Sequence, residues 1–110
     1  MDQTRALTAF AALSQPMRLD TFRLLVRAGR AGMAAGDIAT TLGVRQNTLS
    51  ANLSLLQNAG LIRSQRAGRS IIYSTDLDGT RDLLGFLMED CCGGHPELCQ
   101  PVIDQIACAC

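Results

Sequence analysis

Residues 43–62 read GVRQNTLSANLSLLQNAGLI, and this stretch decides the fold. Leu49, Leu53 and Leu56 recur at i, i+4 and i+7, which is one stripe of a helix with 3.6 residues per turn. The spacing predicts a helix over residues 45–59. Its other side carries Gln46, Asn47, Ser50, Ser54 and Gln57, with Ala51 between them and neither Glu nor Lys. Short hydroxyls and Asn are weak helix formers. A plain solvated surface would use better ones, so this face reads as one kept for contacts rather than for helix stability. Gly43 permits the tight turn that precedes the helix, and Gly60 ends it as a left-handed cap.

Working outward, residues 34–42 form a shorter helix that gives Ile38 and Leu42 to the core. Upstream of it, Leu7, Phe10, Ala11 and Leu13 fall on helical spacing, and Pro16 closes that first helix because the residue before a proline is pushed away from helical geometry. Pro16 then suits the first turn of a second helix, whose apolar face holds Leu19, Phe22, Leu25 and Val26 and which Gly29 and Gly32 end. Downstream, residues 61–65 and 70–75 read as two short strands joined by Arg66-Ala67-Gly68-Arg69, a basic hairpin. A long last helix is expected over residues 78–92, with Leu83, Leu84, Phe86 and Leu87 apolar, until Gly93 and Gly94 break it.

The chain is therefore expected to be mainly α with a small β-hairpin. Two short helices meeting at a glycine, the second polar on its outer side, followed by an arginine-tipped hairpin, are the parts of a winged helix-turn-helix. In that unit the second helix enters the major groove, where each base pair presents its own donor and acceptor pattern. Gln46, Asn47 and Ser50 are the candidate base readers, because amides pair bidentately with adenine and Ser contacts either strand or a phosphate. Thr48 and Ser54 complete the candidate surface. Arg45, Arg66 and Arg69 are expected on phosphates, the rival for the last two being a solubilising turn that guards a sheet edge.

Charge supports a division of labour. The formal net charge is zero, yet all ten basic residues are Arg and they are unevenly placed. Residues 1–75 hold nine of them against three carboxylates, a net of +6, and residues 76–110 hold one against seven, a net of −6. The first part suits phosphates, and the acidic tail should lie away from them. At 110 residues the chain is one domain's worth, small enough for dimerisation to help its stability. No apolar run reaches the roughly 18 residues of a membrane span and no secretory signal is legible, which places the chain in the cytoplasm. A phosphate-binding loop and a strand-loop-helix nucleophile site are both lacking and there is a single His, so the sequence argues against an enzyme.

Five cysteines in such a chain point to ligation, reactivity or burial as reduced thiols rather than to a disulfide framework. The tail reads Cys91-Cys92-Gly93-Gly94-His95-Pro96-Glu97-Leu98-Cys99, then Cys108-Ala109-Cys110. Thiolates select soft ions. A set of three sulfurs suits a trivalent metalloid such as arsenite or antimonite, which takes three sulfurs in a pyramid. Zinc is the rival, with His95 inside the cluster as a possible fourth ligand, although adjacent cysteines are not the usual zinc spacing. Packing of small apolar thiols is the plainer reading for Cys91 and Cys92. A thiol redox switch, pairing Cys91 or Cys92 with Cys99, Cys108 or Cys110, is the reading from a different functional class.

The chain also resembles the ArsR/SmtB family of arsenic- and metal-responsive repressors, over residues 7–99. The resemblance rests on Ala12-Leu13-Ser14-Gln15-Pro16-Met17-Arg18-Leu19, similar to the family's opening "ALxxPxRLxIL", and on residues 43–62, where Gln46, Ser50, Leu53, Leu56, Ala59, Gly60 and Leu61 match "SQxxxSxHLxxLxxAGLV". Arg69-Ser70-Ile71-Ile72-Tyr73 resembles its "GRxxxY" hairpin. Asn52 stands where that pattern has His, and Arg45 where it has Ser, which bears on the operator sequence rather than on the fold. The apolar faces at Leu7 and Phe10, and at Leu83, Phe86 and Leu87, are expected to form a two-fold interface, and the resemblance implies a homodimer built on the first and last helices that represses by binding operator DNA and is released by an inducer. Residues 1–92 would be the DNA-binding and dimerisation domain, and residues 93–110 a tail that completes the inducer site. The family's thiol motif in the third helix is absent, since residues 32–39 contain no cysteine. The tail instead resembles a branch with vicinal cysteines and a third after the last helix, which implies Cys91, Cys92 and Cys99 as ligands of As(III). Sb(III) and methylarsenite are close alternatives, Cys108, Cys110 and His95 are lesser candidates, and no organic cofactor is expected.

Overall fold

A computed structural model describes residues 1–88 and 96–107. In chain order they form α1 (Gln3–Leu13), α2 (Pro16–Ala28), a 3-10 turn (Gly29–Ala31), β1 (Met33–Ala34), α3 (Ala35–Leu42), α4 (Gln46–Asn58), β2 (Ile62–Ala67), β3 (Ser70–Thr75), α5 (Leu77–Met88) and α6 (Pro96–Ala107). This is the expected mainly helical architecture with a small sheet.

Local chemistry sets the helix ends. The Asp2 carboxylate accepts from the Arg5 N–H at 2.8 Å and starts α1. Pro16 opens α2, with the Gln15 side chain accepting from the Arg18 N–H at 2.9 Å. Gly43, at φ 67°, makes the left-handed turn between α3 and α4, and Gly60, at φ 78°, takes the chain out of α4.

The sheet is antiparallel in the order β1-β3-β2, one strand more than the expected hairpin. Met33 and Ala34 pair with Tyr73 and Ile72 on the free edge of β3. Strand β2 also runs further than expected, so Arg66 lies inside it opposite Ile71 and the turn is confined to Gly68 and Arg69.

Leu25, Ile38, Leu49, Leu53, Leu56, Leu61 and Ile62 are fully buried and form the core, which Leu83 of α5 joins. Each contributes about 1.5–3 kcal/mol through burial. The apolar face expected on α2 is corrected, and α1 packs through its alanines. On α1 the buried residues are Ala6, Ala9 and Ala12, whereas Leu7 and Phe10 are exposed. Small side chains let α1 approach α2 and α4 closely, and the large ones point outward. On α2 the inward positions are Thr21 and Leu25, and Leu19 and Val26 are exposed. Thr21 tolerates burial because its hydroxyl donates to the Met17 carbonyl at 2.7 Å.

Helix α5 starts beside the end of α4. The Asp76 N–H donates to the Leu61 carbonyl at 2.9 Å, and Asp76 Oδ1 accepts from the Gly79 N–H at 3.0 Å. A Cβ at position 79 would run into the Gly60 carbonyl, so only glycine allows this approach. Of the apolar residues expected on the last helix, Leu83 faces the core while Leu84, Leu87 and Met88 are exposed. The expected continuation to residue 92 lies outside the described residues, as do Cys91, Cys92, His95, Cys108 and Cys110. Helix α6 was not expected; Leu98, Val102, Ile103 and Ile106 on it are exposed. No helix among the described residues is long and apolar enough to cross a membrane.

Candidate nucleic-acid interface

Burial of Leu49, Leu53 and Leu56 fixes how α4 is rolled on the core, and that roll turns Gln46, Asn47, Thr48, Ser50 and Ser54 to the outside. Arg45 is the exposed residue that precedes the first turn. The predicted reading face is thus continuous and exposed, at the element that follows the α3–α4 turn. One of its members is engaged locally: Asn47 Oδ1 accepts from the Thr48 N–H at 2.9 Å, helping to cap the helix. A bidentate contact with adenine would require that oxygen to leave the backbone. Gln57, at the other end of the polar side, donates through Nε2 to Ser64 Oγ at 3.2 Å and so braces α4 against β2.

That brace also orients the hairpin. Ser64 and Arg66 are two residues apart on β2 and share one face of the strand. Since Ser64 meets α4, Arg66 stands on the strand face turned toward α4, with Arg69 beyond it at the turn. Both guanidinium side chains are exposed. Arg63 is also exposed, on the opposite strand face across from Ser74. The sequence reading passed over Arg63, and the signal for it was the i, i+3, i+6 run of arginines at 63, 66 and 69.

Asn52, the position where the family pattern has His, does not belong to the outward face. It is 9% exposed and held entirely by protein partners. Asn52 Oδ1 accepts from Arg18 Nη1 at 3.0 Å, and its Nδ2 donates to Met17 Sδ at 2.9 Å and to the Thr48 carbonyl at 3.2 Å. The substitution therefore alters the joint between α2 and α4 and leaves the reading face as it is.

Of the candidate thiols, Cys99 is described. It lies in α6, is 8% exposed, and is disulfide-bonded, where the sequence favours reduced thiols. Among the described residues no group of three or more His, Cys, Asp or Glu side chains comes together. The ligand set expected from the tail thus falls mostly on residues outside the description.

Comparison with known proteins agrees with this geometry. A family model for a helix-turn-helix domain matches residues 13–65. The transcriptional repressor SdpR of Bacillus subtilis is 32% identical over 79 residues, covering 72% of this chain and 84% of that protein. An ArsR-like transcriptional regulator from Rhodococcus sp. RHA1 superimposes with a TM-score of 0.69 at 29% identity, covering 97% of this chain and 96% of that one. The homodimeric winged helix-turn-helix DNA-binding domain of a Mycobacterium bovis protein gives a TM-score of 0.64 at 27% identity, over 84% of this chain and 85% of that one. Against three other curated relatives, one of them a homologue of the repressor SmtB from Synechocystis, the chain spans 50%, 62% and 54% of their length. The relatives and solved structures named are transcriptional regulators or DNA-binding domains rather than enzymes. The reading face on α4, the basic hairpin behind it and these matches together make the chain a member of the ArsR/SmtB family of winged helix-turn-helix transcriptional regulators.

Proposed function

We propose that the chain is a cytoplasmic, homodimeric repressor that holds operator DNA with α4 and the β2–β3 hairpin and is released by As(III). The observation that carries the DNA half is the pairing of an exposed, uncharged polar face at Gln46, Ser50 and Ser54 with arginines on the adjacent hairpin. Side chains of that kind read base edges, and the arginines set register on the phosphates. Dimerisation is supported by the apolar side chains that α1 and α5, which pack on each other, leave outside: Leu7, Phe10, Leu84, Leu87 and Met88. So many large apolar groups on two adjacent helices mark an association surface. Leu83, expected in that surface, serves the core of its own chain instead.

For the inducer, the supporting observation is Cys99. Its sulfur is largely withdrawn from solvent and bonded to a second sulfur. Reduction would free the Cys99 thiol, and further thiols of the tail would complete the pyramidal set that As(III) or Sb(III) takes. In this reading Cys91, Cys92 and Cys99 are the ligands, residues 93–110 complete the site, and the DNA-bound and metalloid-bound dimers differ in geometry, so that each ligand weakens the other. The same disulfide favours a second reading, in which oxidation itself is the signal. Methylarsenite would need only two thiols, and zinc or cadmium would call on four ligands.

The test is binding of the reduced protein to a duplex that it enriches from a random library, measured with arsenite, methylarsenite, zinc or an oxidant. Release by arsenite in the absence of oxidant, abolished in Cys99→Ser while DNA affinity stays, supports metalloid induction. Release by oxidant with no response to arsenite selects the redox reading. A Cys99→Ser protein that arsenite still releases at the wild-type concentration removes Cys99 from the site.

A further inference from the structure

We propose that Arg18 is a positioning residue: through Asn52 it ties the end of α1 to the inner side of α4 and so sets the spacing at which a dimer presents its two α4 helices. The inference rests on the reading above that α1 belongs to the dimer surface and α4 to the DNA surface.

Arg18 lies in the first turn of α2, where the Gln15 side chain holds its N–H. Its guanidinium makes two hydrogen bonds to two other helices. Nε donates to the Ala12 carbonyl at 2.7 Å, and Nη1 donates to Asn52 Oδ1 at 3.0 Å. Ala12 is in the last turn of α1, where carbonyls lack a partner within the helix and the helix dipole favours a cation. Asn52 sits between Leu49 and Leu53 on the buried side of α4. Its amide is satisfied by Arg18, Met17 and the Thr48 carbonyl, and no buried side-chain polar atom among the described residues lacks a partner.

The physical point is direction. The leucine contacts that hold α4 are apolar and non-directional, so they resist separation far more than a small slide or roll. The guanidinium is a rigid plane whose N–H groups point along fixed lines, and two bonds from one plane fix both a distance and an angle. A slide of α4 along its axis, or a roll about it, would leave Arg18 with one of its two bonds. Such a motion also moves Gln46, Ser50 and Ser54 relative to α1, and hence relative to the partner's copy of the same residues. A lysine keeps the charge but offers a point rather than a fork, and cannot reproduce the tie.

The experiment uses a duplex enriched from a random library by the wild-type dimer, versions of it with the spacer between half-sites one base pair longer or shorter, and a duplex carrying one half-site. Four proteins are compared: wild type, Arg18→Lys, the double variant Arg18→Met with Asn52→Leu, and Asn52→Asp. The double variant replaces both members of the Arg18–Asn52 bond by apolar groups of similar size, so that neither side chain is left buried without the other, while the Ala12 carbonyl gives up the Arg18 donor. Asn52→Asp keeps the acceptor that Arg18 needs. Arg18→Lys and the double variant should lose about tenfold in preference for the original spacing, within what contacts of this kind carry. Affinity for the single half-site and melting temperature should stay near wild type, and Asn52→Asp should keep the preference. Unchanged spacing preference in a folded Arg18→Lys or double variant overturns the proposal. So does an equal loss on every duplex that tracks a lowered melting temperature, which would make Arg18 a stabilising residue only. A wild-type protein that sediments as a monomer, or that is indifferent to spacing, would instead overturn the dimeric reading on which the proposal stands.

Discussion

Helices α4 and α6 are of nearly equal length, 13 and 12 residues, and each carries four or more large aliphatic side chains, yet they are used in opposite ways. On α4, Leu49, Leu53 and Leu56 are at most 1% exposed. On α6, Leu98, Val102, Ile103 and Ile106 are 45–65% exposed. Charge divides the chain in the same order, basic in residues 1–75, which hold α4, and acidic in residues 76–110, which hold α6. The difference teaches where a single chain is complete. Helices α2, α3 and α4 with the sheet close their own core, and it is the outer sides of α1, α5 and α6 that remain to be covered.

The sharpest way to break that comparison is to truncate one leucine on the closed side. Leu53→Ala should cost about 2–5 kcal/mol, because the site is fully enclosed and cannot collapse onto the gap, and urea unfolding monitored by circular dichroism would read it. A cost below about 1 kcal/mol would mean that α4 is not part of a closed core. Next in size is the outer side of α1 and α5. Replacing Leu7 and Leu87 together by Asp should leave the fold intact, convert the protein to a monomer in sedimentation at micromolar concentration, and weaken binding to paired half-sites by roughly 100-fold as avidity disappears. A dimer that survives both charges would move the interface elsewhere. A smaller effect is expected at the hairpin: Arg66→Ala with Arg69→Ala should lower the dependence of log affinity on log salt by roughly two units, one for each phosphate no longer neutralised, on specific and unrelated duplexes alike. An unchanged slope would take the hairpin off the DNA. The smallest is on the open side of α6, where Val102→Ala should change unfolding free energy by no more than about 0.5 kcal/mol; a loss near that of Leu53→Ala would show that this face is covered after all.

Much of this was legible in the sequence where side-chain chemistry and spacing agree. The Leu49, Leu53, Leu56 stripe, the left-handed glycines at 43 and 60, and Pro16 each gave a boundary or a face that the structure retains. Strand β1 was not legible because two residues carry no period, and the pairing of Met33 and Ala34 depends on an edge supplied some forty residues later. Helix α6 was hidden by Pro101 in its interior and by the two glycines before it, although Pro96 at its start and the spacing of Leu98, Val102 and Ile106 were there to be read. On α1 the helical spacing of Leu7 and Phe10 was legible, whereas the inward alanines at 6, 9 and 12 were not, because hydrophobicity marks the large side chains while close helix approach favours small ones. The candidate DNA contacts could be placed from sequence since the leucines fix the roll of α4. The role of Asn52 could not, because only tertiary packing shows that an amide on this helix meets Arg18 from thirty-four residues away.

The glycine at 79 has a mechanical consequence. With no side chain between its Cα and the Gly60 carbonyl, the start of α5 rests directly on backbone at the exit of α4. Helix α5 is 12 residues long, so it is a bar of about 18 Å whose other end, at Met88, leads into the cysteine segment. A bar seated this closely on its support cannot slip forward, and force applied at its free end acts as torque about a fulcrum. Any larger residue at 79 would lift the bar off its seat, and a push at its free end would then be spent on bending rather than delivered to the exit of α4.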